Sequence, residues 1–189
     1  MQQRLHAGQL PSSIVVAVLR TFCRSSLIFV LAACSAEPAV DPDAPSRSGQ
    51  QRAYDDSDCN LQTVLDPEKP GAPGHLIPSP RNPNGDSELA VLMRRMVEQL
   101  KENRLRVKGG EAIEKMWPAH RTMRCAWPTN PKERNEGYDG RAQSYLATVR
   151  AFDEAPSRET YEAVVEGCIA CHQVNCGGVI GFIETLRWE

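Results

Sequence analysis

The sequence predicts an all-α protein, an antiparallel four-helix bundle preceded by an extended proline-rich arm. Two observations lead to this prediction. Nine of the fourteen prolines lie between residues 35 and 85, whereas only four lie between residues 86 and 189. In the second region apolar residues recur at spacings of three and four, which is the period of an amphipathic helix. Four such segments with short connections are typical of an antiparallel bundle.

The first predicted helix begins at Asp86 or Ser87, because either side chain can cap a helix. It ends at the glycine pair Gly109-Gly110. One face of this helix is apolar and consists of Leu89, Leu92, Met93, Met96 and Leu100.

Three further helices are predicted by the same periodicity. The second covers residues 111–125, and Pro118 either bends it or marks its real start. The third covers residues 139–153. The fourth begins near Pro156-Ser157 and continues beyond Cys168.

The charge balance excludes some functions. The chain has 22 basic and 24 acidic residues, which argues against a generally cationic nucleic-acid binder. No run of about 18 uninterrupted apolar residues occurs, so we expect no transmembrane helix.

Residues 1–33 have the composition of a secretory signal. Their only charged residues are arginines, and an apolar run at residues 27–33 precedes Cys34. The segment Leu31-Ala32-Ala33-Cys34 resembles the bacterial lipoprotein box. That resemblance implies a lipid on Cys34, and Ser35 after it implies the outer membrane, facing the periplasm. A plain signal with a chance cysteine, or a buried apolar segment, is the alternative.

Residues 34–57 are rich in proline and poor in large apolar residues, and we interpret them as a flexible tether. Residues 58–85 are predicted to form a proline-rich arm that lies on the helical domain. This second prediction depends on five apolar residues, which are Leu61, Val64, Leu65, Leu76 and Ile77.

The sequence Cys168-Ile169-Ala170-Cys171-His172 is a C-x-x-C-H motif, the attachment signature of c-type haem. Cysteines three residues apart lie on the same face of a helix, so both sulfurs reach one edge of the porphyrin. His172 then offers an imidazole nitrogen to the iron. A thioredoxin-like thiol pair and half of a zinc site are the alternatives, but no strand precedes the motif and no second ligand pair follows it.

A C-x-x-C-H motif on the last helix of such a bundle resembles cytochrome c prime and its low-spin, methionine-ligated relatives. The resemblance covers residues 86–189 and includes the segment 87–96 of the first helix. It implies that Met93, or alternatively Met96, ligates the iron opposite His172. The chain departs from the family shortly after His172, where the family has an aromatic and a basic residue and this chain has Gln173-Val174-Asn175-Cys176-Gly177-Gly178, with an extra cysteine.

Three cysteines are left after lipidation and haem attachment. We favour a disulfide between Cys125 and Cys176, with Cys59 bonded to either one as the competing arrangement. His120 is expected to fill a core or surface position, and His75 to be exposed. Four aromatic residues either wall the haem or fill the core: Trp117, Trp127, Tyr138 and Trp188.

The resulting functional hypothesis is a monohaem cytochrome that transfers electrons to periplasmic redox proteins through transient contacts. It carries one haem c, reaches the membrane only through its lipid and binds no nucleic acid. We expect no enzymatic activity, because no acid–base constellation is visible. The first alternative is a gas-binding protein for NO or CO with an open sixth iron position. The second is a lipoprotein without haem that has a structural or thiol-exchange role.

Overall fold

The computed structural model describes residues 54–189. The predicted signal, Cys34 and the tether as far as residue 53 lie outside this part. Within residues 54–189 the regular elements are all helical and begin at Glu88; no β-strand is present there, only one isolated bridge between Ile77 and Asp86. The predicted all-α class is therefore confirmed. Within the same residues, no helix is long and apolar enough to cross a membrane.

Helix α1, Glu88–Gly109, forms where the periodicity predicts it. The Ser87 hydroxyl accepts a hydrogen bond from the backbone N–H of Ala90 and caps the first turn. Gly110 ends the helix with φ at 68°, a left-handed conformation that only glycine adopts without strain. Its N–H and that of Glu111 donate back to carbonyls of the last turn, as in a Schellman motif.

The predicted second helix is wrong in extent. Helix α2 covers only Trp117–His120, and a 3₁₀ segment, Arg121–Cys125, follows it. Pro118 fits the first turn of a helix but cannot lie within one, so it sets the start. The chain before it is held by Asn103 of α1, whose amide donates to the Glu114 carbonyl at 2.8 Å and accepts from the Glu114 N–H at 2.9 Å.

Helices α3, Glu136–Glu154, and α4, Arg158–Asn175, form a packed pair joined by three residues. Asn135 caps α3, and a capping box made by Ser157 and Thr160 starts α4. The pair contributes much of the core through side chains that are almost fully buried, namely Tyr145, Leu146, Val149, Phe152, Tyr161, Val164 and Val165.

A C-terminal segment follows α4. It contains a 3₁₀ turn, Gly177–Val179, and the short helix α5, Ile180–Glu184. Ile183 and Leu186 are buried in the same core as α1, α3 and α4. The Tyr161 hydroxyl donates to the Leu186 carbonyl at 2.7 Å, which fastens this segment to α4.

The arm is attached mainly by polar contacts and one disulfide. None of the five apolar residues that suggested its docking is buried, and Val64 is 94% exposed. Instead Arg134 donates to the carbonyls of Asn60 and Thr63 at 2.7 and 3.0 Å, and the Trp127 ring N–H donates to the Asp66 carbonyl at 2.8 Å.

Contacts with the helices begin before residue 58. The Tyr54 ring meets the Trp117 ring edge to face at 5.2 Å, and Asp56 pairs with Arg124. Arg124 in turn forms a two-pronged ion pair with Asp139 of α3, at 2.8 and 2.9 Å. The end of the segment predicted as a tether therefore packs on the helices.

Candidate functional site

Helix α4 carries the whole C-x-x-C-H motif. Four buried side chains fix the rotation of the helix and bring the two cysteines to one side: Tyr161, Val164, Val165 and Ile169. At Gly167 the helix lies very close to α3, since a Cβ there would be only 3.1 Å from the Tyr145 ring. Cys168 is thus placed directly beside the contact between α3 and α4.

An apolar cavity of about 340 Å³ lies against this motif. Cys168, Cys171 and His172 all line it from α4. The opposite wall is the predicted apolar face of α1. Cavities of this kind, largely apolar with a few convergent polar groups, are the usual form of a cofactor site. The structure thereby brings together residues that are some 75 positions apart in the sequence.

Both predicted methionine ligands lie on the cavity wall. Met93 is partly buried and Met96 is almost fully buried, and they are three residues apart on α1. A thioether sulfur is a soft ligand that suits haem iron. The position of the cavity agrees with either assignment, because both side chains line it.

His172 is held as a neutral imidazole. Burial lowers its pKa below the usual 6.5, and the Cys176 backbone only partly opposes this shift. A neutral ring is the form that binds a metal. Its Nδ1 is buried with no hydrogen-bond partner among the described residues. Buried polar atoms without partners are rare, and here the atom belongs to the side chain predicted to ligate iron.

The two thiols of the motif are protonated. Burial raises the pKa of Cys168 to about 12, although the Tyr145 side chain opposes the shift through a hydrogen bond. Burial also raises the pKa of Cys171, against the opposing effect of Arg141. Neither sulfur is present as a reactive thiolate at neutral pH.

The sequence did not identify the third wall of the cavity. This wall consists of four residues of the C-terminal segment that line the cavity: Val179, Phe182, Ile183 and Leu186. Phe182 is 51% exposed and Val179 is also exposed, so the cavity reaches the surface there. The apolar spacing of these residues is a signal in the sequence, but it does not show which side of the motif the segment covers.

The remaining aromatic and histidine candidates separate into two groups. Tyr138 lines the cavity and donates its hydroxyl to the Met123 carbonyl at 2.9 Å. Trp117 and His120 are buried in the core, and Trp188 packs edge to face on Tyr161 at 5.6 Å. Trp127 contacts the arm, and the exposed His75 lies 3.3 Å from Glu68. These five residues do not line the cavity.

The predicted disulfide between Cys125 and Cys176 is wrong. Cys125 is bonded to Cys59 of the arm, the competing arrangement, and Cys176 is an exposed free thiol at the cavity. The reason lies in the packing. The arm passes over the 3₁₀ segment that ends at Cys125, whereas Cys176 directly follows α4.

Within residues 54–189, no group of three or more histidine, cysteine or acidic side chains is arranged to hold a metal ion by itself. The described residues therefore do not form a zinc site around Cys168 and Cys171, which needs four such ligands. Comparisons with protein-family models, curated proteins and solved structures gave no match for this chain.

Proposed function

We propose that this protein is a monohaem c-type cytochrome that transfers electrons in the periplasm. One observation carries the proposal. Both thiols of the C-x-x-C-H motif and the adjacent His172 line one apolar cavity, and Met93 and Met96 line the same cavity from α1. Thioether attachment, a proximal imidazole and a distal thioether sulfur are the protein groups that such a cytochrome needs.

The residues present fit a haem. Cys168 and Cys171 would hold it covalently, and His172 would bind its iron from one side. The apolar side chains of α1 and the C-terminal segment would cover its faces and exclude water. A bound haem would supply an iron that cycles between its ferric and ferrous states. Burial in such surroundings and the choice of axial ligand are the means by which a protein sets the reduction potential.

The protonation of the thiols favours haem attachment over thiol exchange. A C-x-x-C pair used in disulfide exchange has a lowered thiol pKa. Here burial raises the pKa of Cys168 to about 12 and raises that of Cys171 as well. Thiols with a raised pKa are poor nucleophiles toward disulfides at neutral pH, which argues against a thiol-exchange role for this pair.

We propose Met93 as the sixth ligand, with Met96 as the alternative. The resemblance to methionine-ligated relatives of cytochrome c prime favours a residue early in the first helix. Met93 is also the less deeply buried of the two, so its sulfur is less committed to the core. With a methionine bound, the iron would have no open position, and this would favour electron transfer over gas binding.

The bundle arrangement and the location of the protein complete the proposal. The three-residue connection between α3 and α4 supports antiparallel packing of those helices. In the proposed four-helix bundle, α2 and the following 3₁₀ segment take the place of the second helix. We propose that Cys34 carries the lipid and that partners are periplasmic redox proteins, which meet the exposed edge at Val179 and Phe182 through small, transient contacts.

The test is expression in a bacterial host that matures c-type cytochromes. We expect a covalent haem on the peptide containing residues 168–172, detected by mass spectrometry and by the haemochrome spectrum. Replacing both Cys168 and Cys171 by alanine should abolish attachment. Cys176→Ala is the matched control, because it removes a free thiol from the same cavity and should leave attachment unchanged. A wild-type protein without haem would refute the proposal.

Exposure of the reduced protein to CO separates the two haem functions. A coordinated methionine blocks or slows CO binding, so the proposal requires a slow or absent spectral change. Rapid CO binding to the wild-type protein would instead support the gas-binding function.

A further inference from the structure

The cavity beside the motif has a polar end and an apolar end. At the start of α1, the Ser87 hydroxyl lies 3.1 Å from the Thr129 hydroxyl, and both residues line the cavity. Farther along α1, Arg104 donates to the carbonyl of Leu186, another lining residue, at 3.3 Å. Positions 87 and 104 are about 25 Å apart along a helix. The cavity therefore extends from the polar end at the start of α1 to the apolar end at the C-terminal segment.

Two charged side chains line this cavity within the described residues, one of each sign. Arg94 is the cation and Glu133 is the anion, and both are half-buried. Arg94 lies in the second turn of α1, whereas Glu133 ends the 3₁₀ turn Pro131–Glu133 in the loop that follows Thr129. An anionic group that enters the cavity will therefore approach Arg94 and keep away from Glu133.

The guanidinium of Arg94 is held in place from behind. It forms an ion pair with Asp86, which is 4% exposed and also accepts a hydrogen bond from the Asn82 amide at 3.3 Å. Asp86 precedes α1, so the ion pair directs the guanidinium toward the polar end. Among the described residues Arg94 makes only this hydrogen bond, from one of its five N–H donors. The remaining donors are available to a carboxylate of a ligand.

The neighbouring cations do not compete for this role. Lys101 lies over an aromatic ring of the C-terminal segment at 5.7 Å, and Arg141 donates to the Asn175 side chain at 3.0 Å. Arg95 is exposed and lines only a separate surface pocket. None of these three side chains lines the main cavity, so Arg94 is the cation that a ligand meets there.

The position of Arg94 next to Met93 fits a planar ligand with carboxylates on one edge. Successive residues of an α-helix point about 100° apart. When Met93 faces the plane of such a ligand, Arg94 points past that plane toward an edge. Haem carries its two vinyl groups on one edge and its two propionates on the opposite edge. Cys168 and Cys171 hold the vinyl edge at α4, so the propionate edge lies away from the motif.

We infer that the polar end of the cavity binds the propionate carboxylates of the haem, with the Arg94 guanidinium as their main partner. This inference rests on the proposed function and adds the orientation of the haem. The charged edge lies at the polar end, where Arg94 pairs with it, and the C-terminal segment covers only apolar parts of the ring. Asp86 is a positioning residue, because it fixes the guanidinium that the propionates meet.

Iron mesoporphyrin IX tests the inference, because its ethyl groups form no thioethers and its binding is reversible. The full chain, purified without attached haem, is titrated by absorbance with the free acid and with the dimethyl ester, which lacks both negative charges. We expect the wild type to bind the free acid about tenfold more tightly than the ester, the size of one charge-assisted hydrogen bond at a partly exposed site. Arg94→Gln should lose this preference, and Arg94→Lys should keep part of it.

Arg95→Gln is the matched control. It removes the same charge from the adjacent residue, which does not line the cavity, so it should keep the wild-type preference. Equal ratios of acid to ester affinity in the wild type, Arg94→Gln and Arg95→Gln would overturn the inference, and so would a wild type that does not bind the free acid. Haem attached to the matured wild type would still leave the proposed function standing. A matured wild type without haem would overturn that function instead.

The comparison remains decisive even if Arg94→Gln does not fold. The acid and the ester are compared on the wild-type chain itself, and equal affinities for the two would be sufficient to overturn the inference. The matured protein gives a second readout. Loss of a cation beside the propionates favours ferric iron, so the reduction potential of Arg94→Gln should lie below that of the wild type. An equal fall in Arg95→Gln would count against the inference.

Discussion

Removal of the disulfide between Cys59 and Cys125 should destabilise the protein markedly. The bond joins the arm to the end of the 3₁₀ segment across a sequence separation of 66 residues. Cys59→Ser and Cys125→Ser break the same bond, so each should produce the same loss. The double variant should lose no more than either single one, because the second change removes a sulfur that is already unpaired.

The size of the effect follows from the length of the closed loop. In the chain-entropy model, a cross-link that closes a loop of this length lowers the entropy of the unfolded chain enough to stabilise the folded state by about 4 kcal/mol. The arm itself contributes little apolar burial that could compensate. For a domain of this size, a loss of that order lowers the melting temperature by on the order of 10 °C.

Thermal and urea unfolding of the three single cysteine variants measures the effect. Cys176→Ser is the control, because Cys176 is exposed and unpaired. It should unfold like the wild-type protein. The opposite pattern, with Cys176→Ser destabilised and Cys59→Ser unchanged, would show that the sequence-based pairing was right and that the arm is not fastened by a disulfide.

Three further predictions concern the iron ligand, a buried histidine and the arm. Met93→Ala should convert the low-spin optical spectrum of the reduced haem protein into a high-spin one, whereas Met96→Ala should not; the reverse would reassign the ligand. Burial and the nearby Arg95 lower the pKa of His120 from 6.5 to about 3. Between these two pH values, therefore, the His120 imidazole binds a proton in the unfolded chain but stays neutral in the folded protein. Stability should therefore fall by about 2 kcal/mol from pH 7 to pH 5, and urea unfolding of a His120→Leu variant should show a weaker pH dependence. Gly71→Ala should cost well over 1 kcal/mol in thermal unfolding, because φ is 94° and the new Cβ would lie 2.3 Å from a backbone nitrogen of α1. Gly74→Ala shares the positive φ but meets no atom within 4 Å, so a loss equal to that of Gly71→Ala would disprove the clash.

Local patterns in the sequence were sufficient for the long helices. The start of α1 at the Ser87 cap, its end at Gly110 and the buried faces of α3 and α4 all follow from periodicity and capping, which act over a few residues. The predicted second helix, residues 111–125, shows the limit of local patterns. Met116, Trp117 and His120 are buried, but most of the segment is not α-helical. Pro118 and the bonds to Asn103 decide its conformation.

The chemistry of the site was also local. The C-x-x-C-H motif specifies two sulfurs and an imidazole on one helix face, so its residues predict a haem without any knowledge of the fold. The apolar face of α1 predicts that Met93 and Met96 point inward. Whether the two faces meet is a matter of packing between distant segments, and the cavity they share is visible only in the folded chain.

The sequence by itself determined the helical class, the C-x-x-C-H motif and the apolar face of α1, because each depends on residues within one or two helical turns. Only the tertiary structure decided the partner of Cys125, the polar contacts that fasten the arm, the wall formed by the C-terminal segment and the buried contact between His120 and Tyr145. Each of these joins residues separated by tens of positions. Spacing along the chain carries no information about such pairs until the helices pack.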